Sequence, residues 1–332
     1  MSASYRSVDV AQFPHKIVRY DELVPCKNAF IDTRSPGSDQ KENFTIIGPG
    51  VSENPDQFVH IAQPHGFNIG GARQPPGCLN SQHSHDTAEV FYVHSGTWRF
   101  MSGENADDGE VFLNPGDLIS LPTNLFRGFE NVGDESGFLF AILGGDDPGR
   151  VLWAPCVFDL ATDYGLLLLE NGSLVDLAAG QEKPTDVNPM PRTTSAQVAA
   201  LDRATSSDLE KLVIRAGDEI SPHVPAPNGV FARPLIGPEP LAWRHGFTIT
   251  ELRVAKGTTI SAPPLSVPEV WFVQEGTCQL CVDGHSSRPL CHPGDTISLD
   301  PDSIRGLYAE TDTTVLAVRG GDHLRDAKGA CI

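Results

Sequence analysis

Gly77-Cys78-Leu79-Asn80-Ser81-Gln82-His83-Ser84-His85-Asp86-Thr87-Ala88-Glu89-Val90-Phe91-Tyr92-Val93-His94-Ser95-Gly96 carries a glycine at each end and a run of strand formers between them. Glu89 to Val93 is β-branched and aromatic and reads as a strand that stops at Gly96. Residues two apart in an extended chain point the same way, so His83 and His85 present both imidazoles to one face. Glu89 follows His85 by four residues and can reach the same point from the next strand position or after a turn. Two neutral imidazoles and a carboxylate suit Fe(II), Mn, Ni, Co or Zn, with open positions for substrate or oxygen. The same residues also allow a plainer reading, in which Gln82 to Asp86 is a polar surface loop whose histidines meet water.

The stretch has a counterpart farther on. His65-Gly66-Phe67-Asn68-Ile69 recurs as His245-Gly246-Phe247-Thr248-Ile249, a shift of 180 (65 to 245). Gly77, Glu89 and Gly96 match Gly257, Glu269 and Gly276 at the same shift. Pro115-Gly116-Asp117 then matches Pro293-Gly294-Asp295, Ile119-Ser120-Leu121 matches Ile297-Ser298-Leu299, and Arg127-Gly128 matches Arg305-Gly306. Gly144-Gly145-Asp146 matches Gly320-Gly321-Asp322, and Val24-Pro25 with Asn28 is echoed by Val224-Pro225 with Asn228. Order kept over such a span marks a tandem duplication. Each copy reads as short strands between Gly and Pro turns, an antiparallel sandwich or barrel. The expected division is an N-terminal barrel over 1–150, a connector over 151–215 and a C-terminal barrel over 216–332. Within the connector, short apolar elements flank an Asn171-Gly172 turn, and Ser195 to Ala204 reads as a helix capped by Ser195.

Composition agrees with many short strands: 332 residues carry 32 Gly and 27 Pro. Lys and Arg number 24 against 43 Asp and Glu, a net charge of −19 that repels phosphate backbones and argues against nucleic acid. No apolar run is long enough to span a membrane. The polar opening Met1 to Val10 does not read as a signal peptide. Seven cysteines, an odd number, read as reduced thiols of a cytoplasmic protein. Cys278 and Cys281 lie three apart in a strand-like run, on opposite faces, and so read as structural thiols rather than a zinc pair. Cys331, second from the end, does not fit a prenylation box.

The spacing of the opening stretch resembles the first motif of the cupin family, G-x5-H-x-H-x3,4-E-x6-G, at every specified position. The second cupin motif, G-x5-P-x-G-x2-H-x3-N, is met by Gly116, Pro122 and Asn131, with Asn124 in place of the inner glycine. Arg127 stands where the family's fourth metal ligand, a histidine, normally sits. Both repeats fit, so the resemblance covers nearly the whole chain outside the connector and termini. It implies an all-β bicupin, two jelly-roll barrels with a partly helical connector. The metal ligands would be His83, His85 and Glu89. An arginine stays protonated and cannot ligate. Arg127 would then anchor a substrate carboxylate or enolate, or else pair with Glu89 in a site without metal. In the second repeat Pro263-Pro264-Leu265 replaces the two histidines while Glu269 and Arg305 remain, so no metal is expected there.

Around these residues, Phe91 and Val93 share the face of Glu89 and would line a pocket, while Tyr92 faces away. His65 and His245 read as matched structural residues, and His94 as an exposed turn residue. Gln82 reads as a loop residue meeting water, and Cys78 as a neighbour of the ligand strand. The Gly-Gly-Asp segments lack the lysine and helix of a phosphate cradle. Bicupins resembling this pattern include gentisate-type ring-cleaving dioxygenases and quercetinases. The resemblance therefore implies an Fe(II) dioxygenase acting in the first barrel on a small anionic aromatic or diketone substrate. The alternatives are a non-oxidative lyase or isomerase and a non-catalytic binding bicupin, because fold does not fix chemistry. A homodimer or higher homo-oligomer is expected.

Overall fold

The computed structural model describes residues 16–218, 229–237, 245–281, 288–302 and 305–321. Cys331, Asp322 and the echo at Val224, Pro225 and Asn228 lie outside these residues. The chain forms two compact units, Val24–Asp218 and Met1–Leu23 together with Glu219–Ile332. No helix among the described residues is long and apolar enough to cross a membrane.

The Val24–Asp218 unit is a jelly roll of two sheets. One sheet runs in the order Val213–Ile214, Leu118–Leu121, Glu89–Ser95, Gly137–Gly144, Phe67–Gln74, Glu42–Ile47 and Val59–Ile61. The other runs Val151–Trp153, Leu79–His85, Arg127–Asn131, Trp98–Ser102 and Gly109–Leu113. Pairing is antiparallel except between Glu42–Ile47 and Val59–Ile61. Alternation along the strands builds the core. Phe91, Val93, Ile119, Leu121, Leu139 and Ala141 from the first sheet meet Trp98, Phe100, Val111, Leu113 and Phe129 from the second. Each large side chain fully withdrawn from water here contributes about 1.5–3 kcal/mol. Tyr92, one residue out of phase, is buried outside this cluster.

The second unit repeats the plan. Lys16–Val18, Thr296–Leu299, Glu269–Glu275, Thr313–Gly320, Phe247–Val254 and Val230–Ile236 form one sheet. Thr259–Ala262, Arg305–Ala309, Cys278–Cys281 and Leu290–Cys291 form the other. Its core uses equivalent positions: Trp271 for Phe91, Val273 for Val93, Ile297 for Ile119, Ala317 for Ala141 and Leu307 for Phe129. Cys278 is sealed in this core while Cys281 is half-buried, as a strand with a period of two requires.

Two segments depart from the expected division of the chain. Strand Lys16–Val18 pairs with Thr296–Leu299 and so belongs to the second unit, although it precedes the first barrel in sequence. Residues 151–215 form part of the first unit: Val151–Trp153 extends the sheet of Leu79–His85, and Val213–Ile214 extends the other sheet. The helix expected from Ser195 to Ala204 is instead the short Ser195–Ala199, capped by Thr194 through a reciprocal pair with Gln197. The Thr194 hydroxyl accepts the orphan N–H of Gln197, which places the start one residue earlier than composition suggested. Among the described residues the other helices are the nine-residue Pro155–Asp163, the short Ser206–Glu210 and a single 3-10 turn at Tyr20–Glu22. The expected Asn171-Gly172 turn joins the hairpin Leu166–Leu168 and Leu174–Asp176.

Candidate metal centre

The two histidines and the glutamate approach one another from opposite sheets. Leu79–His85 lies between Arg127–Asn131 and Val151–Trp153, with His83 opposite both Arg127 and Trp153 and His85 opposite Val151. Glu89 opens its strand in the facing sheet, opposite Leu121 and Leu143. All three side chains are buried, and their donor atoms lie within 4.8 Å of one another. Among the described residues, no other His, Cys, Asp or Glu cluster has this form. The surface-loop reading is therefore wrong for Gln82 to His85, which are buried in a strand, and holds for Asp86, an exposed bend. Gln82 is strand-buried, and its Nε2 donates to the Gly103 carbonyl at 2.7 Å. Gln82 takes its cover from Met101 and Gly103 across its own sheet, which a five-residue window cannot reveal.

The protonation states suit ligation. His83 Nδ1 lies 2.7 Å from the Ser81 carbonyl, an acceptor only, so Nδ1 carries the hydrogen and Nε2 is left with its lone pair. Burial, with the Arg127 guanidinium nearby, holds His83 down to about 3. The same two causes, then His83 itself, keep His85 well below the ordinary histidine value. His85 Nε2 is 3.7 Å from Glu89 Oε2, and its buried Nδ1 has no hydrogen-bond partner. Metal donors stand about 2.0–2.2 Å from the ion. Donor atoms already within 4.8 Å need only a small inward shift, and the residues fit a divalent transition metal.

Arg127 is fully buried. Its Nη2 donates to Glu89 Oε2 at 3.0 Å and Nη1 to the Leu125 carbonyl at 3.3 Å. Burial raises the Glu89 carboxyl above its ordinary value against the opposing pull of Arg127, and burial lowers Arg127. The guanidinium thus stands against the ligand carboxylate and is absent from the cavity wall. Asn124, in the place of the motif glycine, has φ of 60°, a left-handed conformation that asparagine tolerates. Asn131 staples a turn, donating to the Gln74 and Glu135 carbonyls and accepting from Gly133 N–H.

A cavity of about 70 Å³ opens onto the triad. Its aromatic wall is Phe30, Phe44, Phe91, Phe129 and Trp153, with Leu143 and Val151 beside the triad. Val93 packs in the core and does not reach it. The sequence reading missed Trp153. Its ring centroid is 5.3 Å from that of His83, and its indole N–H donates to Glu53 Oε1 at 2.6 Å. Burial raises Glu53 to about 8, against the Trp153 and Ile31 donors. Also missed was the buried pair of Asp32 and Lys41 beside the ligand strand. Neither feature has a motif, since Trp153 meets Glu53 across 100 residues and the Asp32–Lys41 pair meets Asn80 and Ser81 across 39 and 49.

The remaining candidates have structural partners. The His65 and Gly66 amides donate to Asp146 Oδ1, so the first Gly-Gly-Asp segment closes a turn. His65 and His245 both pack against the phenylalanine two residues on. His94, expected to be exposed, is half-buried against Phe138. Cys78 is buried outside the cavity wall.

The second unit places different chemistry at the equivalent point. Glu269 receives Arg305 and, at 2.9 Å, Arg319. Arg319 occupies the register position held by Leu143 in the first unit, directly opposite the glutamate. An apolar cavity wall has become a second cation on the same carboxylate.

A family model described as a cupin domain matches residues 72–143, the segment that holds the triad and Arg127. In fold, the chain is similar to solved two-barrel cupins. Oxalate decarboxylase of Bacillus subtilis, solved at pH 4.6, is 12% identical with a TM-score of 0.53, over 92% of this chain and 76% of that one. Procruciferin, an 11S globulin of Brassica napus, is 10% identical with a TM-score of 0.55, over 89% and 83%. A germin-like protein, subfamily 1 member 4, of Arabidopsis thaliana is 31% identical over 125 residues, which are 34% of this chain. That match spans about half of the germin-like protein, 54% of its length. The solved structures of this fold therefore include both an enzyme and a globulin.

Proposed function

We propose that the Val24–Asp218 unit is a metal-dependent enzyme in which His83, His85 and Glu89 hold a divalent transition metal. Fe(II) is the first choice, with Mn, Ni, Co or Zn as alternatives. The observation that carries this reading is a buried donor set of two neutral imidazoles and one carboxylate, with arginine where a fourth protein donor would stand. Three protein donors leave positions for substrate and, with iron, for oxygen; the metal when bound supplies Lewis acidity or one-electron chemistry. Glu89 brings the negative charge, and Arg127 holds its Oε2 in place. A dication and the Arg127 cation outweigh one carboxylate, so the site favours an anionic substrate. The walls at Phe30, Phe91, Phe129 and Trp153 exclude water and suit an apolar body carrying the charge. A small aromatic acid or an ionised diketone has that form, and dioxygenation is the reaction proposed.

A second reading, a non-oxidative lyase or decarboxylase, draws on the likeness in fold to oxalate decarboxylase and on the small cavity. The apolar wall weighs against a substrate as polar as oxalate. Anaerobic loading with Fe(II) and elemental analysis, followed by an oxygen-electrode screen of aromatic acids and diketones, tests the proposal. Close to one equivalent of metal in the parent and none in His83→Ala is expected, with oxygen uptake by the loaded parent only. Less than about a tenth of an equivalent in the parent would sink it, and turnover unchanged under argon would favour the second reading. Assembly into a homodimer or larger homo-oligomer remains part of the proposal and is read by light scattering.

A further inference from the structure

The side chains of Asp32 and Lys41 are fully withdrawn from solvent and ion-paired, in the turn-rich segment that precedes strand Glu42–Ile47. That segment is clamped to the ligand strand, with Ser38 Oγ donating to the Leu79 carbonyl at 2.8 Å and Leu79 N–H to the Gly37 carbonyl at 2.7 Å. Asp32 Oδ2 accepts the Ser81 amide at 3.0 Å, and the Ser81 carbonyl accepts His83 Nδ1–H at 2.7 Å. Lys41 Nζ donates to Asn80 Oδ1 at 3.0 Å, which turns Asn80 Nδ2 toward His83 Nδ1 at 3.4 Å. The Ser81 carbonyl, the acceptor for His83 Nδ1–H, is therefore anchored to the ion pair, while Asn80 Nδ2, itself a donor, faces Nδ1–H without accepting from it.

A buried ion pair is a costly way to fill a core, and apolar residues of similar volume often serve stability as well or better. Apolar residues cannot accept the Ser81 amide. Ligating histidines depend on such partners of the other ring nitrogen, whose loss typically weakens metal binding 10–100-fold.

We infer that Asp32 and Lys41 are positioning residues for the metal ligand His83, holding its imidazole in the tautomer that leaves Nε2 bare. The inference rests on the metal reading above, and its test has an arm that needs no metal. The double variant Asp32→Leu/Lys41→Met removes the pair while keeping its volume. In metal-free parent protein, ¹⁵N shifts of His83 should report a protonated Nδ1 and a bare Nε2. In the folded double variant they should report a mixture of tautomers. Calorimetric titration with Mn(II) should show a 10–100-fold weaker Kd for the double variant, at a thermal midpoint within a few degrees of the parent. If the double variant fails to fold, Asp32→Asn/Lys41→Gln, which removes both charges while keeping polar groups of similar volume, should weaken Mn(II) at least fivefold. An unchanged tautomer in the double variant, or Mn(II) affinity within twofold of the parent in the folded variant used, would overturn the inference. If the parent binds no Mn(II) but its tautomer shifts in the double variant, the metal reading fails and the positioning of His83 stands.

Discussion

Arg127 Nη2 donates to Glu89 Oε2 at 3.0 Å, and both side chains are sealed from solvent. This pair puts a permanent cation against the carboxylate that completes the metal triad. Removing one partner of a buried pair commonly costs 3–5 kcal/mol. Arg127→Met should therefore lower the stability of the metal-free protein by about that much in urea unfolding. The same variant should bind Mn(II) about tenfold more tightly by calorimetry, since a dication no longer competes with the guanidinium for Glu89. Weaker binding would show that Arg127 serves mainly to orient Glu89.

Trp153 provides an optical reporter. With its ring centroid 5.3 Å from that of His83, its emission should be quenched when paramagnetic Mn(II) occupies the triad. A fluorescence titration should saturate with the calorimetric Kd. Trp153→Phe should lose most of the quench while Mn(II) affinity changes less than threefold.

Glu269 of the second unit is held by Arg305 and Arg319 where the first unit has one arginine and a leucine. Glu269→Gln leaves two buried guanidinium groups under-compensated, and a loss of about 3–5 kcal/mol is expected. Metal stoichiometry, by elemental analysis, should stay at one per chain. A drop would place a metal in the second barrel.

Glu53 sets a pH dependence. Burial raises its carboxyl from 4.5 to about 8, so the folded state holds a proton that the unfolded state has released between these values. Its contribution to stability is full below about pH 4.5 and is lost as pH rises toward 8, with a slope on the order of 1.4 kcal/mol per pH unit inside that window. Glu53→Gln does not titrate. The difference in unfolding free energy between parent and Glu53→Gln, measured in urea from pH 5 to 8, should fall steadily with pH. A flat difference would contradict the raised value.

The repeat, the strand class and the spacing of His83, His85 and Glu89 were legible from residue order. Each rests on short-range rules: side chains alternate every two residues, and glycines at positive φ end strands, as Gly96 does at 85°. At Gly96 a side chain would also meet Gly137 Cα at 2.7 Å, so the motif glycine answers to its own backbone and its neighbour's. A local rule fails where the partner comes from elsewhere. Gln82 looks like a loop residue until neighbouring segments of its own sheet bury it, and Thr194 supersedes Ser195 as a cap through its reciprocal pair with Gln197.

What the sequence by itself determined is therefore a duplicated β-architecture with one intact donor triad, because periodicity and spacing are properties of contiguous chain. Only the tertiary structure decided what surrounds that triad. It turned Arg127 toward Glu89, set Trp153 beside His83 and fixed Trp153 to Glu53 across 100 residues. It also placed Asp32 and Lys41 behind the ligand strand. Buried charges and buried polar atoms must find partners within about 3 Å. Which residue lies that close depends on how sheets and segments fold over one another, and no motif records it.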